Sequence, residues 1–229
     1  HKKVCRFMDI TYTIALTMGV AWASGINLYA AVFMLGLMAN TGHIELPPDL
    51  QILSDPFVLF AAGFMYVMEF FADKIPGVDS GWDALHTFVR IPAGAVLAAG
   101  AVGDVSPAAT LAAGLLGGTL TAAVHATKAG GRVLVTTSPE PVSNWFISLG
   151  EDLAVIAGLW TALHYPLAFI IALAVFVLLL AWLLPKIWRG IRYVGRRIAR
   201  WFGKNEKEGN IDIDLLNPRR LPTENQKLD

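Results

Sequence analysis

The sequence predicts an all-α integral membrane protein with about six transmembrane helices. Of its 229 residues, 55% are hydrophobic and only 16% charged, whereas soluble domains carry about a quarter charged residues. Mean hydropathy is +0.54. Apolar segments near the roughly 20 residues needed to span a bilayer recur along the chain, each bounded by polar or proline-bearing turns.

A soluble cytosolic enzyme is nearly excluded by this composition. Lys plus Arg equals Asp plus Glu at 18 each, so whole-chain charge gives no argument for a nucleic-acid partner. The single cysteine, Cys5, permits neither a disulfide framework nor a zinc site of several thiolates within one chain. His1 rather than methionine opens the chain, which leaves the native start open. Residues 1–10 lack a signal-peptide cleavage pattern, and the apolar stretch that follows is too long for an h-region.

The expected spans are 11–39, 57–72, 87–103, 107–126, 145–163 and 166–184. The first would be about 43 Å long at 1.5 Å per residue, against a hydrocarbon core of about 30 Å. It must therefore tilt, protrude or break, and Ser24-Gly25-Ile26-Asn27 is where a break would fall. The second is short and carries Glu69, whereas 166–184 has no charge at all. Pro56 and Pro107 lie 51 residues apart, with Ala-Ala-Gly following each at the same offset. That spacing suggests a parallel repeat of helix, charged loop and helix.

The positive-inside rule orients these spans. Lys2, Lys3 and Arg6 point to a cytoplasmic N-terminus, and the 40–56 loop, with acids and no Lys or Arg, to the opposite side. Lys74, the Lys128 to Arg132 stretch and the basic tail then alternate onto the inner side, so both termini are expected in the cytoplasm. Three regions result: a transmembrane domain over 1–185, a basic amphipathic juxtamembrane helix over 186–204 and a disordered tail over 205–229. The juxtamembrane segment carries seven basic and no acidic residues, interleaved with apolar ones at helical spacing. Its expected partner is the anionic inner leaflet, although a plain stop-transfer anchor would read the same way.

Charged residues within apolar spans cost about 3 kcal/mol each unless paired or hydrated, which marks them as site candidates. Glu69 and Asp73 share a helix face, with Lys74 and Asp79 following. Asp83, His86 and Arg90 fall at i, i+3 and i+7 of the next helix. Ser80 with Asp83 also fits a capping box, in which Asp83 would do no chemistry. His125, Lys128 and Arg132 share a face if Gly130 and Gly131 do not end their helix. Glu140 sits between two prolines, and Ser143 or Asn144 can cap the helix that follows. Glu151 and Asp152 then lie inside the fifth span, and Asn27 at the expected break.

The stretches EFFADKIPGVDSGWDALHTFVRIPAG, HATKAGGR, TTSPEPVSN and SLGEDLAV, with SGINLYA in the first span, resemble domain-of-unknown-function family 4126, a bacterial multi-pass membrane family. The likeness covers about residues 11–165 and implies a bacterial inner-membrane protein. It supplies no substrate.

No metalloprotease, hydrolase-elbow or P-loop motif is present, so no catalytic residue and no cofactor are assigned. Mixed ligands such as Glu69, Asp73, Asp83 and His86 could suit a divalent ion, and whether a metal binds is left unknown. The leading expectation is a transporter or channel that moves a small ionic or phosphate-bearing solute through a charged site open to the cytoplasm. A membrane-embedded enzyme acting on a phosphorylated lipid and a membrane scaffold are the alternatives. A homo-oligomer is compatible with either class.

Overall fold

The computed structural model describes the backbone of residues 2–72, 75, 78–103, 105–135 and 141–215, with side chains described for 10–72, 75, 78, 81–103, 105–132, 145–190, 192, 193 and 196. α1 covers Lys2–Asn40 and is followed by a short 3-10 helix, Pro48–Ser54. α2 is Pro56–Ala72, α3 Val78–Val102 and α4 Pro107–Val135. α5 is Pro141–His164 and α6 Pro166–Leu215. Among the described residues there is no strand. α2, α4, α5 and α6 each open on a proline, where the missing N–H is one the helix would leave unpaired anyway and the fixed φ already suits the first turn.

Five helices are long and apolar enough to cross a membrane. A sixth is added if the bent pair of the 3-10 helix and α2, inclined at 67°, is counted as one span. The protein is thus an all-helical, multi-pass membrane protein. α2 alone has 17 residues, about 26 Å of helix, which is why it falls short by itself.

Several boundaries differ from the sequence expectation. α3 starts at Val78, so Ser80 lies inside the first turn and cannot be its N-cap. α4 runs through Gly130 and Gly131 to Val135; a glycine weakens a helix but does not oblige it to end. α5 starts at Pro141, which removes the capping role expected of Ser143 or Asn144. α6 continues to Leu215, into the segment whose composition suggested disorder.

α1 breaks where its sequence allows. Asn27 has φ −147° and ψ 100°, outside the helical region. Its Oδ1 accepts the backbone N–H of Ala30 at 2.9 Å, so Asn27 is the N-cap of the helix that resumes after it. The first half of α1 runs in the same sense as α4: Thr121 donates to the Ala21 carbonyl at 2.8 Å and Lys128 to the Ile26 carbonyl at 2.9 Å. It runs against α5, with Gly19 beside Ala162, Gly158 beside Trp22 and Asn27 bonded to Asp152. The second half runs against α2, with Phe33 beside Gly63, Gly36 beside Leu59 and Asn40 bonded to the Ser54 carbonyl.

α2 and α4 share a sense. Both start at one end of the bundle, where the 3-10 helix meets Gly100 near the end of α3, and that end is called the proline end below. α1 therefore descends from the proline end, turns back at Asn27 and returns. The expected break is present, and the single crossing expected of 11–39 is replaced by a V.

Close packing around the V depends on small residues. α3 and α4 meet along a seam in which a Cβ at Gly117 would overlap Ala98 and one at Gly94 would overlap Thr121. In lipid, helices associate through such backbone proximity because no water-driven burial acts between them. Gly25 lets α1 approach the Thr121 carbonyl and Val124 of α4 in the same way. α6 leans on α1 through Trp22, whose ring sits edge-on to Phe169 and Phe176 with centroids 6.0 Å away in each case.

The chain separates into two units, His1–Ile187 and Trp188–Asp229. In the second, the Arg192 guanidinium lies 5.2 Å from the centroid of the Trp188 ring.

Candidate functional site

The ends of α2 to α5 that lie away from the proline end, with the vertex of α1, bring one set of ions together. Arg90 of α3 is at its centre and is wholly buried, as is Glu69 of α2. Its Nη2 donates to Glu69 Oε1. Its Nη1 reaches Asp83 Oδ1 and His125 Nδ1, each at 3.2 Å. A guanidinium only donates, so Nδ1 of His125 is the acceptor and the imidazole proton lies on Nε2. That proton faces Thr87 Oγ1 at 2.7 Å, and the Thr87 hydroxyl donates onward to the Asp83 carbonyl at 2.9 Å.

A second group joins α4 to α5 and to the break in α1. Lys128 Nζ lies 2.9 Å from the Ile26 carbonyl, 3.1 Å from Glu151 Oε2 and 3.6 Å from Glu69 Oε1. Arg132 Nη2 donates to Glu151 Oε2 at 2.7 Å, and its Nε lies 3.8 Å from Asp83 Oδ2. Asn27 Nδ2 donates to Asp152 Oδ1 at 3.1 Å, and Tyr66 of α2 lies near the same carboxylate. Glu69 and Lys128 link the two groups into a single network.

Of the residues singled out from sequence, Glu69, Asp83, Arg90, His125, Lys128, Arg132, Glu151, Asp152 and Asn27 converge here. Asp83 is buried and ion-paired rather than capping. His86 does not join: its ring stacks on Trp82 with centroids 4.4 Å apart and its Nδ1 faces the Trp82 carbonyl at 2.9 Å. Asp73, Lys74 and Glu140 lie outside the described residues, as do the side chains of Asp79 and Asn144.

Thr87, Tyr66 and the Ile26 carbonyl were not anticipated. A signal for the two side chains exists, since Thr87 is one turn after Asp83 and Tyr66 is three residues before Glu69. Among the described residues no group of three or more His, Cys, Asp or Glu is arranged to hold a metal ion. Glu69 and Asp83 face Arg90 instead.

Cavities of about 840 and 310 Å³ lie elsewhere. The larger is at the proline end between α3 and α4, and the smaller lies between Trp22, α5 and α6.

The family model described as "Domain of unknown function (DUF4126)" matches residues 14–186. The chain belongs to the DUF4126 family. The match spans every residue of the network and continues through the membrane part of α6, further than the resemblance read from the motifs, and it stops where the basic segment begins. No curated protein and no solved structure matches the chain.

Proposed function

We propose that this DUF4126 protein moves a small ionic or phosphate-bearing solute across a membrane, with the vertex of α1 and the ion network as its site. The observation that carries the reading is the reversal of α1 at Asn27 inside the network. From Asn27 to Asn40 is about 20 Å of helix, which puts the vertex well inside a hydrocarbon core of about 30 Å. A broken helix at that depth leaves backbone donors and acceptors free on its two ends, where solutes and coupling ions can be held. A protein needing only cohesion has no use for such a break, because a continuous helix satisfies its own backbone.

In this reading the network is closed around itself, and a solute enters when one of its pairs opens. Glu151 is the natural point of entry, since its side chain is 17% exposed while Arg90 and Glu69 are fully buried. The end of the bundle that carries Lys128 and Arg132, with Lys74 following α2 in sequence, faces the cytoplasm of a bacterial inner membrane in this reading, because the 40–56 segment at the opposite end holds acids and no Lys or Arg. The orientation rests on Lys74, Lys128, Arg132 and the basic tail, not on Lys2, Lys3 and Arg6, because α1 turns back. The basic segment beyond Pro185 sits against anionic lipid.

The test is uptake into proteoliposomes, offered inorganic phosphate, small carboxylates and alkali cations in turn. Wild type is expected to accumulate one of these. Glu151→Gln and Asn27→Ala should abolish uptake while the protein remains folded. The scaffold reading is favoured by how fully the charges pair with one another. It takes over if wild type moves none of the solutes and both substitutions act only on stability. Turnover of a phosphorylated lipid without solute movement would transfer the site to the enzyme reading.

A further inference from the structure

We infer that the oxygens around Lys128 form a monovalent-cation site that the protein fills with its own ammonium group. The inference concerns the same network as the transport reading but stands without it.

The first half of α1 ends at the Asn27 break, so its last carbonyls have no helical N–H to accept. Such a half-helix end is the negative pole of the helix dipole, and in membrane proteins built from broken helices it is a place where coupling cations are held. Here the position is taken by Lys128 Nζ, at 2.9 Å from the Ile26 carbonyl. Carboxylate oxygens complete the surroundings: Glu151 Oε2 at 3.1 Å and Glu69 Oε1 at 3.6 Å.

Three oxygens from three helices, one of them a backbone carbonyl, form a hard-ligand set around a single positive charge. An ammonium bonds them as a point charge with rotatable donors, much as an alkali cation would, whereas a guanidinium would impose its planar fork. The Lys128 side chain is 4% exposed and Glu69 is wholly buried. Without Lys128, Glu69 keeps Arg90 and Glu151 keeps Arg132, but among the described residues the four carboxylates of Glu69, Asp83, Glu151 and Asp152 then face only two guanidinium groups in a site from which water is largely excluded, which is unfavourable unless a free cation enters. The chain has thus replaced a diffusible ion with a tethered one, and the wild type should need none.

The test is thermal unfolding of the purified full chain in detergent, at constant ionic strength, in NaCl, KCl or methylammonium chloride against choline chloride, whose cation is too large to enter. Wild type should melt at the same temperature in all four. Lys128→Ala should melt about 3 °C or more higher in at least one small cation than in choline, the shift expected when a ligand is present at roughly ten times its Kd. Adding Glu151→Gln should erase that difference, and Lys128→Met, which fills the space without charge, should not show it.

The inference is overturned if Lys128→Ala responds to no cation, if wild type responds equally, or if Lys128→Ala cannot be recovered folded in any of the three small-cation buffers. None of these outcomes bears on whether the protein moves a solute, because the assay contains no second compartment.

Discussion

Arg90 carries more of the network than any other side chain, because it alone touches Glu69, Asp83 and His125. Truncating it would leave two carboxylates in a water-poor interior, and breaking a buried pair from one side typically costs about 3–5 kcal/mol. Arg90→Met should therefore sharply lower folded yield and melting temperature. A compensating Glu69→Gln should recover part of the loss, because it removes a charge that the first change orphaned. If the double variant is worse than the single one by the full cost of each, the pair is not coupled and the centre of the network lies elsewhere. His86 provides the contrast. It is only half-buried and its contacts are aromatic, with Trp82 and an edge-on Tyr29 at 5.7 Å, so His86→Ala should cost about 1 kcal/mol and leave any network-dependent activity in place. The difference between the two residues shows what the sequence can express at this scale. A charge in an apolar span must find a partner, which made both Arg90 and Glu69 legible as site candidates. A histidine one turn away can satisfy itself locally, and spacing alone does not distinguish the two.

At the scale of helices, the glycines divide by what stands opposite them. Gly117 faces Ala98 so closely that a Cβ would overlap it, whereas Gly131 and Gly150, in the same kind of helical backbone, face open space. Gly117→Val should force α3 and α4 apart at a cost of about 1–3 kcal/mol. Gly150→Ala should be neutral or stabilise by up to about 1 kcal/mol, since it only reduces the freedom of the unfolded chain. Equal effects of the two substitutions on melting temperature would mean that the α3–α4 seam does not hold the fold together. Asn27 acts at this scale too. Its side chain both caps the second half of α1 and anchors Asp152, so Asn27→Ala should cost about 1–2 kcal/mol from the lost cap alone. The existence of six helical segments was legible because membrane spans announce themselves by length and apolarity. So was the site of the break, from a stretch too long for one crossing with Ser, Gly and Asn at its middle. The turn-back was not legible, because it is decided by which helices the two halves pack against, through contacts such as Gly19 with Ala162 and Phe33 with Gly63 that no local pattern encodes.

For the whole molecule, the V of α1 makes a prediction about sidedness that a single crossing would reverse. Gly19 lies beside Ala162 and Phe169, where α5 ends and α6 begins, and Asn40 is bonded to the Ser54 carbonyl just before α2 begins. Both ends of the V are therefore at the proline end, while Ile75 lies at the opposite end of the bundle, between α2 and α3. Were α1 one straight span, residue 10 would share a face of the membrane with residue 75 and oppose residue 45. With the reversal, residue 10 shares a face with residue 45 and opposes residue 75. Ile10 and Ile75 are about half exposed, so single cysteines at Ile10, Glu45 and Ile75, each placed in a Cys5→Ser background, should react readily. In intact cells an impermeant thiol reagent should label the variants at positions 10 and 45 together, and should label position 75 only after the membrane is opened. Labelling of 10 together with 75 instead would return α1 to a single crossing. The helix break at Asn27 would then be a kink in a continuous span, and the half-helix carbonyl end that Lys128 occupies would lose its basis as an ion position.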